Sequence, residues 1–341
     1  MKRVVTIGSF GFGEGNPSGQ RIKSQNVYRL LEEMGYDVSY IEMIGIWIRP
    51  IAIIRMIKGI WNSDAVFCMP AHRNLVTVFP FVGWLARIRK VAVHYVVVGG
   101  WLADFIQGRK RIQKILSSIA GIHCQTRELS DDLKERYNFS NTDVFPNFRI
   151  TDYKSTPHHT PGVLNLVFMA RINKKKGLDT IFAVGDLLKA NGISNVYIDF
   201  YGPIHTEDKL YFEESIKQFD FMRYVKSLDP SEIYPTLEKY DAMLLPTHYY
   251  TEGFPGSVLD AYISGIPVIV TKWKYATEFV DQEKSGIIVP FDDDGSGIFK
   301  AICSLMNNED YLNSMKHGAL IKRKEYSPEY AKTKIEKYLS I

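Results

Sequence analysis

Apolar residues along this 341-residue chain gather into short unbroken runs, and between the runs they return every third or fourth position among polar neighbours. Unbroken runs bounded by turn residues fit strands buried on both faces, and the longer periodic stretches fit helices with one buried side. The runs at 3–10, 37–42, 65–70, 91–99, 121–126 and 142–145 predict six strands in the first half. The polar, proline-bearing segment 151–162 breaks the pattern, which resumes at 163–171, 196–202, 224–228, 241–246, 268–271 and 287–290. Strands alternating with helices predict parallel sheets covered by crossover helices. The expected organisation is α/β throughout: a Rossmann-like, doubly wound domain at 1–150, a linker at 151–162, a second such domain at 163–320, and a helical tail at 321–341.

One turn stands out from this pattern. Thr251-Glu252-Gly253-Phe254-Pro255-Gly256-Ser257-Val258-Leu259-Asp260 follows the run 241–246 and opens a helical stretch, so it falls at a strand's carboxyl end, where open α/β sheets bind ligands. Pro255 suits the first turn of that helix, and the amides of Gly256 and Ser257 would attract a diphosphate. Glu252, just outside the helix, can accept hydrogen bonds from sugar hydroxyls. Asp260 also fits a capping box with Ser257, a purely structural reading. Upstream, Arg171 and Lys176 stand where the run 163–171 gives way to a helix. A planar guanidinium and a compact ammonium there can converge on one diphosphate. Gly202, closing the run 196–202, joins this donor set, whereas Lys174 and Lys175 read as solvated turn residues.

These residues resemble the retaining glycosyltransferases of family 4, whose signature is a Glu, seven residues, and a second Glu. Asp260 stands at the second acid. The likeness continues in order through Ser264-Gly265-Ile-Pro267, Glu278-Phe-Val and Ser285-Gly286-Ile-Ile-Val-Pro290. Upstream it takes in Ala170-Arg171-Ile-Asn-Lys-Lys-Lys176-Gly177, with Ala170 at a usual glycine, and Pro146-Asn147. It implies a GT-B fold, two Rossmann-like domains facing across a cleft, with the tail crossing back to the first domain. It also implies donor contacts from Gly253 to Val258, a ribose contact from Asp260, and retention of anomeric configuration.

The first half offers a looser set. The loop 10–19 follows the first strand, and its Gly15, Ser18 and Gly19 can approach a diphosphate or an acceptor; by the resemblance, Ser18 and Gly19 stand where the family carries Gly-Gly. A dinucleotide fingerprint with Glu42 as its acid is the rival, but the glycine spacing is not GxGxxG and the rival leaves everything after residue 150 unexplained. His94 stands near a position where the family often has a histidine, and it fits a buried core residue equally well. Gly99, Gly100 and Trp101 form a turn suited to an acceptor pocket. His123-Cys124 makes neither a metal site nor a nucleophile dyad, and Asp292-Asp-Asp294 suits the start of a helix.

Charge divides the chain unequally. Residues 1–150 carry 20 Lys and Arg against 12 Asp and Glu, and the remainder carries 22 against 26. Much of the basic excess accompanies aromatic and aliphatic residues at 46–49, 54–61 and 79–90, a combination that suits an anionic lipid surface or an amphipathic helix packed on a sheet. No base-reading helix or RNA platform is present in the pattern, so nucleic acid is not an expected partner. Three widely spaced cysteines suit a reducing cytosol, and the start runs directly into a strand pattern, so no leader is expected.

The sequence therefore predicts a metal-independent hexosyltransferase without a cofactor, cytoplasmic and peripheral on the inner face of the plasma membrane. It would move a hexose or N-acetylhexosamine from a nucleotide sugar, with UDP-sugar the working donor, to a saccharide or lipid-linked saccharide in capsule or cell-surface polysaccharide assembly. Alternatives are a nucleotide-sugar epimerase or hydrolase, a non-catalytic sugar-nucleotide binder, and third an NAD-dependent oxidoreductase. The sequence specifies no oligomeric state.

Overall fold

The computed structural model describes every residue except 13–17 and 341. Twelve strands divide equally between two parallel sheets. The first contains β1 (Arg3–Gly8), β2 (Asp37–Glu42), β3 (Ala65–Cys68), β4 (Ala92–Val96), β5 (Gly121–Cys124) and β6 (Thr142–Val144), in the order β2-β1-β3-β4-β5-β6. The second contains β7 (Leu164–Met169), β8 (Val196–Tyr201), β9 (Met222–Lys226), β10 (Ala242–Leu245), β11 (Val268–Thr271) and β12 (Gly286–Val289), in the order β12-β11-β10-β7-β8-β9. Central strands such as β3, β10 and β11 are buried at every position, which is why they read as unbroken apolar runs. The edge strand β9 buries only Met222.

In each sheet the strand order reverses once. The reversal falls between β1 and β3 in the first sheet and between β7 and β10 in the second, and ligands of open parallel sheets collect outside the carboxyl ends at such a point.

The chain separates into two units, Met1–Thr151 with Tyr326–Ile341, and Asp152–Glu325. The expected linker is stitched to the second unit. Ser155 donates its hydroxyl to the Ser264 carbonyl at 2.6 Å, and His159 meets the buried Asp241 carboxylate at 2.7 Å. Lys316 completes this knot with bonds to Asp241 and to the His158 carbonyl, and the Asn165 amide donates to the second Asp241 oxygen. The tail ends in a helix, Pro328–Leu339, that belongs to the first unit. Its Ala331, Ile335, Tyr338 and Leu339 fill the same core as Phe10, Val27, Leu30 and Phe145. Lys334 and Tyr338 both reach Asp143 at about 3 Å.

Candidate active site

In the second unit, residues from three strand ends meet at the sheet's reversal point. The loop after β7 begins at Ala170 and Arg171 and tightens into one 3₁₀ turn, Lys174–Lys176, capped by Asn173, whose side chain accepts from the Lys176 amide at 2.9 Å. Gly177 then turns the chain at φ 91°, and a Cβ there would stand 1.9 Å from the Pro246 carbonyl oxygen. Only glycine allows the β7 loop to close on the end of β10 this way. Gly202, after β8, is a similar case: φ is 130°, and a Cβ would meet the Ala170 carbonyl at 2.0 Å. Two backbone bonds, Ile172 to the Pro203 carbonyl and His205 to the Ile172 carbonyl, hold these loops together.

The Lys176 ammonium meets the Glu252 carboxylate at 2.5 Å, with both side chains about four-fifths buried. Thr247 steadies the pair, donating its hydroxyl to Glu252 at 3.2 Å, and is itself fixed by Thr271, which donates to the Thr247 carbonyl. Arg171 is exposed, and its guanidinium has no hydrogen-bonded partner among the described residues. Two of the three expected catalytic groups are therefore in contact, and the third stands at the same strand end with its donors free.

The helix after Glu252 runs Gly256–Ile263. Pro255 is its N-cap rather than a first-turn residue, and no side chain caps it, so the expected Ser257–Asp260 capping box does not form. Val258 and Leu259 donate their amides to the Pro255 carbonyl, whereas those of Gly256 and Ser257 meet no acceptor among the described residues. Phe254 stacks on Phe279 at 4.1 Å and Val258 is fully buried, so these two side chains serve the core and only backbone groups there can meet a donor. Gly253 is buried at the turn, and Asp260 is buried within the helix.

The Asp292–Asp294 triplet serves a helix start. Asp293 accepts from the amides of Gly295, Gly297 and Ile298, and Asp294 from that of Ser296.

In the first unit, Gly15 lies outside the described residues. Ser18 is the N-cap of the helix Gly19–Glu33, accepting from the Arg21 amide, and no described residue lies within 4 Å of a Cβ placed on Gly19. Glu42 accepts from the amides of Phe10 and Gly11 at 2.8 and 3.0 Å and from that of Ile44. A carboxylate occupied in tying down its own loop is not presented to a ribose, which removes the physical basis of the dinucleotide reading.

His94 is 2% exposed and lies in the sheet, its Nδ1 3.1 Å from His123 Nε2, with His123 in turn stacked on Tyr338 at 3.7 Å. Burial lowers the His94 pKa to about 4 and that of His123 well below its usual range. The core reading of His94 fits this placement, and an acceptor would have no surface of it to touch. Trp101 does border open space. Its ring stacks on His72 at 3.6 Å and donates to the Val98 carbonyl across a turn that Gly99 makes at φ 86°. Gly100 is buried beside it. Sequence reasoning missed His72, since nothing in a short helix sequence announces a ring stacked on a turn 29 residues away.

Comparison with known proteins fits this architecture. A solved structure of Anabaena HepE in complex with UDP and glucose superposes with a TM-score of 0.76 at 12% identity, covering 100% of both chains. Sucrose-phosphate synthase from Thermosynechococcus elongatus gives 0.76 at 13% identity, covering 99% of this chain and 98% of its own. The fold is GT-B. Residues 156–322, which make up most of the second unit, match the family model described as Glycosyl transferases group 1. A Salmonella typhimurium relative named for colanic acid biosynthesis, the glycosyltransferase WcaL, is 32% identical over 140 residues, 39% of this chain. That match spans only 34% of the relative's own length.

Proposed function

We propose that this chain is a retaining, metal-independent glycosyltransferase that moves a hexose or N-acetylhexosamine from a nucleotide-diphosphate sugar to a saccharide hydroxyl. The observation that carries the proposal is the Lys176–Glu252 pair at the reversal point of the second sheet, beside the open amides of Gly256 and Ser257 and the unpaired Arg171. Breaking a sugar–phosphate bond places negative charge on the departing diphosphate, and cations and amides already aimed there help most in the transition state. Arg171, Lys176 and the two amides hold that charge. Glu252 orients the sugar through its hydroxyls, and a departing phosphate oxygen takes the acceptor's proton, so the new bond forms on the face the leaving group vacates. The solved complex of HepE with UDP and glucose supports a UDP-sugar as first donor to try.

The acceptor is proposed to be lipid-linked, at the cytoplasmic face of a membrane, in cell-surface polysaccharide assembly. Support comes from the surface of the first unit. Between Met43 and Ala103 there is one acid, Asp64, against seven Lys and Arg. There Trp47, Ile48, Ile51, Ile54, Trp61, Trp84 and Ile88 are all exposed, Ile48 by 83%. They lie on the 3₁₀ turn Ile46–Ile48 and the helices Pro50–Asn62 and Phe79–Arg89, which pack together. Exposed apolar area of this extent ringed by cations suits the interface of an anionic bilayer. No described helix is long and apolar enough to cross one.

A thermal-shift panel of UDP-, GDP- and ADP-sugars tests the donor assignment: the matching sugar nucleotide raises Tm, unchanged by EDTA, and no response from any of them would overturn it. Product analysis without acceptor separates transfer from hydrolysis or epimerisation.

A further inference from the structure

The helices Phe79–Arg89 and Lys110–Leu116 border an open groove of about 860 Å³ on the first unit. Its two sides differ in chemistry. One side is apolar, formed by Val76, Pro80, Phe81 and Trp84, with Trp84 58% exposed. The other is Arg109, Lys110 and Arg111, three consecutive cations. Arg109 lies over the Phe105 ring at 4.3 Å and donates to the Phe105 carbonyl. Lys110 and Arg111 are exposed and have no ion-pair partner among the described residues.

We infer that this groove seats the phosphate-bearing end of a prenyl-type lipid carrier, phosphate on the cationic side and the first isoprene units against Phe81 and Trp84. The inference rests on the reading of the acceptor as lipid-linked and gives that acceptor a place. A soluble anion has no use for an aromatic wall, and a neutral lipid has none for three consecutive cations; an amphiphile with an anionic head uses both. Both ends of the groove lead where such a molecule must go. Phe81 meets Trp47 edge to face at 6.0 Å, so the apolar side continues into the exposed face that suits a bilayer. At the other end Arg109 touches Phe105, Phe105 packs on Trp101, and Trp101 closes the turn at the carboxyl end of β4. A saccharide attached to the held phosphate is thereby delivered toward the turn already picked out for an acceptor.

The test uses the full-length chain and farnesyl diphosphate below its micelle concentration, titrated calorimetrically with saturating UDP present so that the donor site is filled. Binding is expected, with farnesol and inorganic pyrophosphate each at least tenfold weaker. The double variant Lys110→Ala/Arg111→Ala should weaken farnesyl diphosphate at least tenfold and Trp84→Ala several-fold, both still binding UDP as the parent does. Farnesyl diphosphate binding unchanged in the double variant overturns the inference, as does pyrophosphate binding as tightly as farnesyl diphosphate. A chain that ignores UDP but binds farnesyl diphosphate in this pattern would sink the donor assignment and leave the groove standing.

Discussion

Lys176 and Glu252 are 76 positions apart in sequence and 2.5 Å apart in space. Their residue types and flanking glycines were readable in the chain; their contact was not, because it depends on the sheet order that brings β7 beside β10. Lys176→Ala removes the ammonium and leaves Glu252 without its ion-pair partner. Turnover is expected to fall roughly 100-fold or more, the scale of losing one preorganised charge contact to a transition state, and initial rates with labelled donor measure it. A rate within twofold of the parent would exclude Lys176 from the chemistry. Other residue-scale facts lay beyond sequence reading for the same reason. Glu42 binds a loop 32 positions earlier, and His94 finds its partner, His123, on the next strand.

At the scale of elements, the sequence was most legible where burial is complete. Every strand appears where an apolar run predicts one, and β2 and β11 match to the residue. The misses have causes. The run 91–99 reads too long because Val97 and Val98 stay apolar after β4 ends, and 224–228 reads two residues late because β9 is an exposed edge that lacks an apolar signature. Loop ends depend on backbone approach, which composition barely records. Gly177→Ala and Gly202→Ala should each cost about 2 kcal/mol or more, because the new Cβ meets a carbonyl oxygen at 1.9 or 2.0 Å from a positive-φ backbone. Thermal unfolding should reveal both. Gly19→Ala is the contrast: among the described residues nothing lies within 4 Å of a Cβ placed there, so Tm should hold, and a loss of activity would report on ligand approach to that amide.

At the scale of the whole molecule, acid should act first on the unit containing His94 and His123. Both imidazoles are kept neutral by burial, and the His94 value falls from 6.5 to about 4. Above pH 6.5 neither folded nor unfolded chain holds that proton, so stability is complete. As pH falls from 6.5 toward 4 the unfolded chain takes up the proton and the folded one does not, which for His94 amounts to roughly 3 kcal/mol by the end of the window. Melting followed from pH 8 to pH 4 should show this decline, and His94→Phe should lessen it, leaving the share that His123 contributes. Vesicle binding belongs to the same scale: vesicles rich in phosphatidylglycerol should retain the chain at low salt and release it as salt rises. No retention at low salt would exclude attraction by charge.

The resting Lys176–Glu252 contact carries a consequence for selectivity. A small anion arriving alone must take the ammonium away from the carboxylate and strand that largely buried carboxylate, with Thr247 as its remaining side-chain partner among the described residues. A sugar nucleotide supplies both replacements at once, phosphate oxygens for the lysine and hydroxyls for the glutamate. The site thus works as a two-key lock in which inorganic phosphate turns one key, and the intact donor should stabilise the protein more than its nucleoside diphosphate does.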